Sequence, residues 1–412
     1  MNAAKRIKLK YVADYIQRGD APTYVDSNGV TVINQACVQP SGIDLSKRKL
    51  HDPEDIGRIT SWLQQNDVLI NSTGTGTLGR VAHVREEPTS PMFADGHVTI
   101  IRDATGRFEP RYLFYVLSIQ QEEITVECSD GATNQIELSR HKLGNKYIDW
   151  PPIPTQKRVV AFLDRHTNAL DRLIEGKNHL LDLLAEKKRT LITHAVSRGP
   201  DSEVPIKDTG IPWLGNIPAH WNTERAKWLF KERDVRSESG DEELLSVSHL
   251  TGVTSRSEKN VNMFMAESLE GYKRCETGDL VINTLWAWMG AMGVTRQPGI
   301  VSPAYNVYQP VPELDPEYID LLVRTPRFAE EITRYSKGVW SSRMRLYPEG
   351  LYEAWLPVPP KEEQQAIVAH IKQETQKIDA FALATEKTIN LLQERRSALI
   401  SAAVTGQLDL GT

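Results

Sequence analysis

Two stretches of this chain carry apolar residues in a seven-residue rhythm. In the first, Leu163, Leu170, Leu184 and Leu191 fall seven apart with Lys177 at the missing step, and Ile174, Leu181 and Ala195 form a second stripe four residues along. In the second, Ile371, Ile378, Leu392 and Leu399 repeat the rhythm with Thr385 at the matching step, beside Ala382, Ile389 and Ala403. Apolar residues at i, i+4 and i+7 make one continuous face on a helix, and a heptad sustained this long predicts packing along another helix. Prolines precede both stretches (Pro154, and Pro359-Pro360) and glycines close them (Gly199, Gly406), as helix starts and stops require. About 40 residues of helix make a rod roughly 60 Å long.

The two stretches align without a gap at an offset of 208 residues, from Gln156/Gln364 to Val196/Val404. Identities include Ala161/Ala369, Thr167/Thr375, Asp171/Asp379, Leu183/Leu391, Glu186/Glu394 and Ile192/Ile400. Identity, register and flanking prolines recur together, so the chain is internally duplicated and each helix is the obvious partner of the other. The regions before the helices correspond more loosely. Asn66-Asp67-Val68-Leu69-Ile70-Asn71 matches Gly278-Asp279-Leu280-Val281-Ile282-Asn283, a turn leading into a strand. The run from Glu109 to Leu117 matches that from Asp315 to Leu322, a proline-started helix, and Ser129-Asp130-Gly131 matches Ser336-Lys337-Gly338. Short apolar runs such as His97 to Ile101 and Tyr305 to Tyr308 read as strands.

The expected fold class is α+β: two mixed α/β domains at 1–150 and 222–356, each followed by one long helix, at 151–199 and 357–406. Proline and glycine density marks 200–221 as a linker, and 407–412 remains as a tail. Trp213, Trp221 and Trp355 fall at these junctions and read as packing residues.

Composition narrows the class without naming an activity. The 412 residues are 40% hydrophobic and 25% charged, and no run approaches the ~18 apolar residues of a membrane span. Cys37, Cys128 and Cys275 are isolated, which argues against a disulfide framework or a cysteine zinc site and for a reducing, cytoplasmic setting. A net charge of −5 does not favour nucleic acid, but charge averaged over several domains hides local patches.

Enzyme signatures fail on inspection. Gly74-Thr75-Gly76-Thr77-Leu78-Gly79 is a literal GxGxxG after a strand-like run, yet a cofactor loop needs a helix next. Here Arg80 to Arg85 alternates like a strand and Pro88 follows, so the motif reads as a glycine-rich turn. Asp149-Trp150-Pro151-Pro152 has the wrong order for a methyltransferase motif, and no GxxxxGK[ST] is present. Glu186-Lys187-Lys188 fits half of a nuclease signature, but its repeat mate Glu394-Arg395-Arg396 loses the lysine, so it reads as a charged helix face. The chain therefore reads as non-catalytic.

Several segments together resemble the specificity subunit of type I restriction-modification systems. They are the run Ile211-Pro212-Trp213-Leu214-Gly215-Asn216-Ile217-Pro218-Ala219-His220-Trp221, the Gly278-Asp279-Leu280 turn, the proline-rich helix lead-ins (Pro152 to Val159, Pro357 to Ile367) and the matched helix ends. The resemblance covers essentially the whole chain in order; only the first half departs, opening at Lys8-Leu9-Lys10-Tyr11-Val12-Ala13 without an Ile-Pro-x-Trp-Leu-Gly run. It implies two target recognition domains, each reading one half of a split double-stranded DNA site, spaced by two antiparallel helices. It implies as partners two methyltransferase subunits and the restriction subunits, which would carry S-adenosylmethionine, ATP and Mg; this chain would bind no cofactor. Because the halves differ in sequence, the target should be asymmetric, with half-site centres about one helical turn apart or somewhat more.

Base contacts then fall to the loops. In the first half Thr73, Thr75, Arg80, Arg85, Thr133, Asn134, Gln135 and Arg140 lie in or beside glycine-rich segments, and in the second Trp286, Trp288, Lys337, Trp340, Ser341, Ser342, Arg343 and Arg345. Arginine reads guanine, asparagine and glutamine read adenine, serine and threonine suit base or phosphate, and tryptophan can stack beside an extruded base. Two other readings stay open on sequence alone: a self-sufficient methyltransferase or nuclease, and a coiled-coil assembly protein with no DNA role.

Overall fold

The two heptad stretches are helices, Ile153–Arg198 and Lys361–Val404, in a computed structural model that describes residues 5–40, 42–103, 105–131, 136–201, 203–257, 268–338, 344–408 and 410. Each stops at a glycine in the left-handed region, Gly199 (φ 74°) and Gly406 (φ 72°), where a side chain would be strained. The stripe positions are the covered ones: Leu163, Leu170, Ile371, Ile378 and Ile389 are buried, whereas Leu173, Leu183, Phe381 and Leu391 are exposed. Among the described residues no helix is long and apolar enough to cross a membrane.

The chain forms two compact units, Met1–Asn178 with Glu386–Thr412 and His179–Thr385. Each unit thus holds one variable domain, the start of one long helix and the end of the other.

In unit 1 the central sheet has the antiparallel order Tyr15–Arg18, Val98–Arg102, Val68–Asn71, Val81–His83. Helix Pro110–Ser118 packs against strands Val68–Asn71 and Val81–His83, and Tyr112, Leu113, Phe114 and Tyr115 are buried there. A smaller sheet, with strand Val30–Ile33 at its centre, covers the other side of the core through Ile33, Leu69 and Ile100. Unit 2 repeats the central sheet as Phe230–Glu232, Tyr305–Pro310, Leu280–Asn283, Met292–Val294, followed by helices Pro316–Val323 and Pro326–Tyr335. The turn before the third strand of each order shows why Asn66 and Gly278 correspond. Both have positive φ, 74° and 92°, a conformation that favours asparagine and glycine over other residues.

The domains are fastened to the helices in the same way twice. Gln156, fully buried, accepts the Glu109 N–H at 2.9 Å and donates to Pro151 O; Gln364, its repeat mate, accepts the Asp315 N–H at 2.8 Å and donates to Pro359 O. Tyr112 donates to Val404 O at 3.5 Å in unit 1, and Tyr318 to Val196 O at 2.8 Å in unit 2. In unit 1 Val159 and Leu163 share a core with Ile400, Ala403 and Val404, and Arg396 Nε bonds Asp171 at 2.7 Å. In unit 2 Ala195 and Val196 share a core with Ile367, Val368 and Ile371, and Lys188 Nζ bonds Asp379 at 2.7 Å. Within each unit, then, the helix segments run antiparallel. Asp171 and Asp379 are repeat mates, as are Lys188 and Arg396, so one ion pair is built twice. That contact also accounts for Lys188 of the Glu-Lys-Lys run.

The 200–221 segment is not the loose linker its composition suggests. Strands Ile206–Asp208 and Asn216–Pro218 pair, and Leu214, Ile217 and Trp221 are fully buried in the unit 2 core. Its prolines and glycines shape tight turns within the domain; Gly215, for example, has φ 64°. Trp213 donates to Trp355 O at 3.2 Å and meets Phe328 edge-on, a packing role.

One buried group sets a pH limit on unit 1. His83 lies against Phe114, and neither ring nitrogen has a hydrogen-bond partner. Burial, then the charges of Arg111 and Arg85, push its pKa down to about 4 from 6.5, against a smaller opposing effect of Asp164. A depressed histidine pKa means the stabilising effect is present above pH 6.5 and is lost as pH falls towards 4, by about 3 kcal/mol in all. Denaturant titrations over that range should show the loss in the wild type and a flatter profile in His83→Phe.

Candidate nucleic-acid interface

In both units a strand of the central sheet ends in an irregular turn that a short hairpin joins from the side. In unit 1 the turn is 72–80, between strands Val68–Asn71 and Val81–His83, and the hairpin pairs Ser129–Asp130 with Glu137–Leu138. The Leu138 N–H donates to Ser72 O at 2.8 Å. In unit 2 the turn is 284–291, Lys337 and Arg345 form the paired base of the hairpin, and the Leu346 N–H donates to Thr284 O at 3.0 Å. The same backbone hydrogen bond locks turn to hairpin in both halves.

The glycine-rich turn of unit 1 runs into a strand, not a helix. Gly74 (φ 101°) has no room for a side chain, since a Cβ would lie 2.3 Å from Thr77 Oγ1. Thr73 Oγ1 lies 3.1 Å from its acceptor Gln35 Oε1 and 2.9 Å from His97 Nδ1, while Thr75 is exposed at the tip. Arg80 donates to Gln39 Oε1 at 3.2 Å and Arg140 to Gln17 Oε1. Arg85 is not brought to this place. It follows the far end of strand Val81–His83, where its carbonyl accepts from Gln65 Nε2 at 3.1 Å. Thr133, Asn134 and Gln135 lie outside the described residues, as do Trp340, Ser341, Ser342 and Arg343 of the second half.

Sequence reasoning missed the residues that brace this surface. Arg18, at the end of strand Tyr15–Arg18, donates to Glu137 at 3.0 Å and to Leu138 O at 3.2 Å, and so holds the hairpin. Gln17 comes from the same strand, and Gln35, Gln39 and His97 arrive from two further places in the chain. A groove of about 1720 Å³ beside the turn is lined by Glu122, Glu123 and Glu137, a poor seat for phosphate.

The unit 2 turn is built differently. Leu285 (40% exposed), Trp286 (50%) and Met289 (37%) stand out from it, with Trp286 and Trp288 stacked at 6.3 Å and 18°. Its hairpin base inverts the charge of the first. Asp130 and Glu137 in unit 1 are paired with Lys142 and Arg18, whereas Lys337 and Arg345 are exposed and, among the described residues, in no ion pair.

Residues 51–182, which include the glycine-rich turn and its hairpin, match the type I restriction modification DNA specificity domain. A putative type I restriction enzyme MjaX specificity subunit of Methanocaldococcus jannaschii is 24% identical over 220 residues, 52% of this chain and 49% of that protein. The match thus spans about half the length of that relative. A chain solved in work on complex assembly and conformational transition of the type I R-M system has a similar fold, with TM-score 0.68 at 16% identity over 99% of both chains. The HsdS subunit from Thermoanaerobacter tengcongensis aligns over 99% of this chain and 98% of its own at 16% identity, with TM-score 0.47. Residues 51–182 thus match a type I restriction modification DNA specificity domain, and about half of the chain is similar to a specificity subunit of such a system.

Proposed function

We propose that this chain is the non-catalytic DNA-reading and scaffold subunit of a type I restriction-modification complex, each unit reading one part of a split, asymmetric target. The observation that carries this is the twin turn and hairpin, locked by the same backbone bond in both units but carrying different side chains. A shared frame with unlike tips is what two readers of two unlike half-sites need.

The scaffold role has its own support. Leu173 and Phe381 are repeat mates, as are Leu183 and Leu391, and all four are exposed on the long helices. Apolar positions that recur at the duplication offset fit two copies of one partner, the methyltransferase subunit. The restriction subunits complete the complex. S-adenosylmethionine, ATP and Mg belong to these partners.

The chain purified alone should neither methylate nor cut DNA, and with methyltransferase subunits it should shift duplexes that carry the target in preference to others. Methylation or cleavage by the chain alone, or a shift without sequence preference, would sink this reading. The second unit should also grip the backbone through its hairpin base. Lys337→Ala with Arg345→Ala should make the slope of log affinity against log salt shallower by about 1.8, two phosphate contacts' worth. An unchanged slope would remove both residues from the interface.

A further inference from the structure

The two turns differ in more than sequence. That of unit 1 presents small polar residues, Thr73 and Thr75, between glycines. That of unit 2 presents Leu285, Trp286 and Met289 to solvent at the equivalent place, and it is stiff. The Trp286 carbonyl accepts from both Met289 N–H and Ala291 N–H, and Gly290 (φ 85°) closes the short 3-10 helix Ala287–Met289. Trp288 Nε1 donates back to Leu285 O at 3.1 Å, Thr333 Oγ1 reaches Trp288 O from helix Pro326–Tyr335, and Ala287 is fully buried beneath. Such bracing leaves little conformational entropy to lose when the exposed side chains are buried by a ligand.

An exposed apolar tip of this kind needs an occupant, and its surroundings specify one. The hairpin base joined to the turn through the Leu346–Thr284 bond carries two exposed cations, Lys337 and Arg345. Apolar side chains flanked by cations match the two parts of a nucleic-acid duplex, a stacked apolar interior edged by phosphates. Apolar wedges inserted between base steps are a general means of unstacking and bending a duplex.

We propose that the turn 284–291 is a wedge: Leu285, Trp286 and Met289 enter the base stack of the half-site read by unit 2, while the glycine-threonine turn of unit 1 reads its half-site without insertion. This rests on the DNA-reading function proposed above and adds that the two half-sites are distorted unequally. Trp286, half exposed and lying flat against Trp288, supplies the stacking face. Lys337 and Arg345 hold the flanking phosphates while the step opens.

The test uses the full chain with its methyltransferase subunits and duplexes of the mapped target, with 2-aminopurine placed in turn at each position of both half-sites. The expected result is a fluorescence rise at a step of one half-site only, away from the adenines that are methylated. Leu285→Ser with Trp286→Ser should abolish that rise and weaken binding roughly ten-fold or more, the loss seen when a base–aromatic stack is removed. Trp286→Phe should retain the rise. No rise in the wild type, or a rise that survives the double variant, overturns the wedge. So does a double variant that binds DNA normally but no longer holds its methyltransferase subunits, since the tip would then be a protein contact. A split target with no unequal distortion removes the wedge alone; absence of any split target removes the reading beneath it.

Discussion

Arg102→Ala should destabilise unit 1 by about 3–5 kcal/mol, the cost of leaving a buried charge unpaired. The carboxylate at stake is Asp67, whose side chain is fully buried and receives two hydrogen bonds from the Arg102 guanidinium, at 2.6 and 2.7 Å. Asp67 also accepts the Gln64 N–H at 2.8 Å, which shapes the turn before strand Val68–Asn71. Removing the arginine therefore loosens the strand that carries the glycine-rich turn. Calorimetry or denaturant unfolding would read the loss. Asp67→Leu with Arg102→Met should recover all but about 1–3 kcal/mol, because two apolar groups need no partner and only the bonds from Gln64 N–H and to Trp62 O are lost. A single variant as stable as wild type would show that Asp67 is solvated or otherwise compensated.

Trp221→Ala should cost unit 2 a similar amount, about 3–5 kcal/mol, through the cavity left by a large fully buried ring. The indole packs among Leu214, Ile217, Val196 and Ile367, and its Nε1 donates to Glu363 at 2.9 Å. It thus ties the 200–221 segment to the end of one long helix and the start of the other. Trp221→Phe should keep most of the packing and lose about 1–2 kcal/mol with the Glu363 bond. If Trp221→Ala unfolds at the wild-type midpoint, the segment is no part of the unit 2 core. On the proposed function either destabilised variant stops methylation of the whole target, since a split site is read only when both readers stand.

Periodic features were legible in the sequence. The heptads located both long helices to within a few residues, and the 208-residue offset paired Gln156 with Gln364 before their twin hydrogen bonds were visible. The match of Asn66 with Gly278 likewise marked a backbone conformation that both residues tolerate. Periodicity is local, however, and three features were out of its reach. Each domain packs on both helices, because Tyr112 and Tyr318 reach the ends of helices 292 and 122 residues away in sequence. The Pro/Gly-rich 200–221 segment is core, because composition reports turns and not the three buried side chains between them. The reader surfaces gather residues from scattered strand ends; Arg18 meets Glu137 across 119 residues, a contact no spacing rule foresees. Arg85, close to the glycine-rich turn in sequence, lies beyond the opposite end of strand Val81–His83 in space.

The most direct test of two unlike readers in one chain is methylation-sensitive sequencing of DNA from cells that express the full system. The account predicts a single modified motif made of two different short sequences separated by a run of unspecified bases of fixed length. A contiguous motif, a palindromic one, or adenine methylation with no motif at all would contradict it.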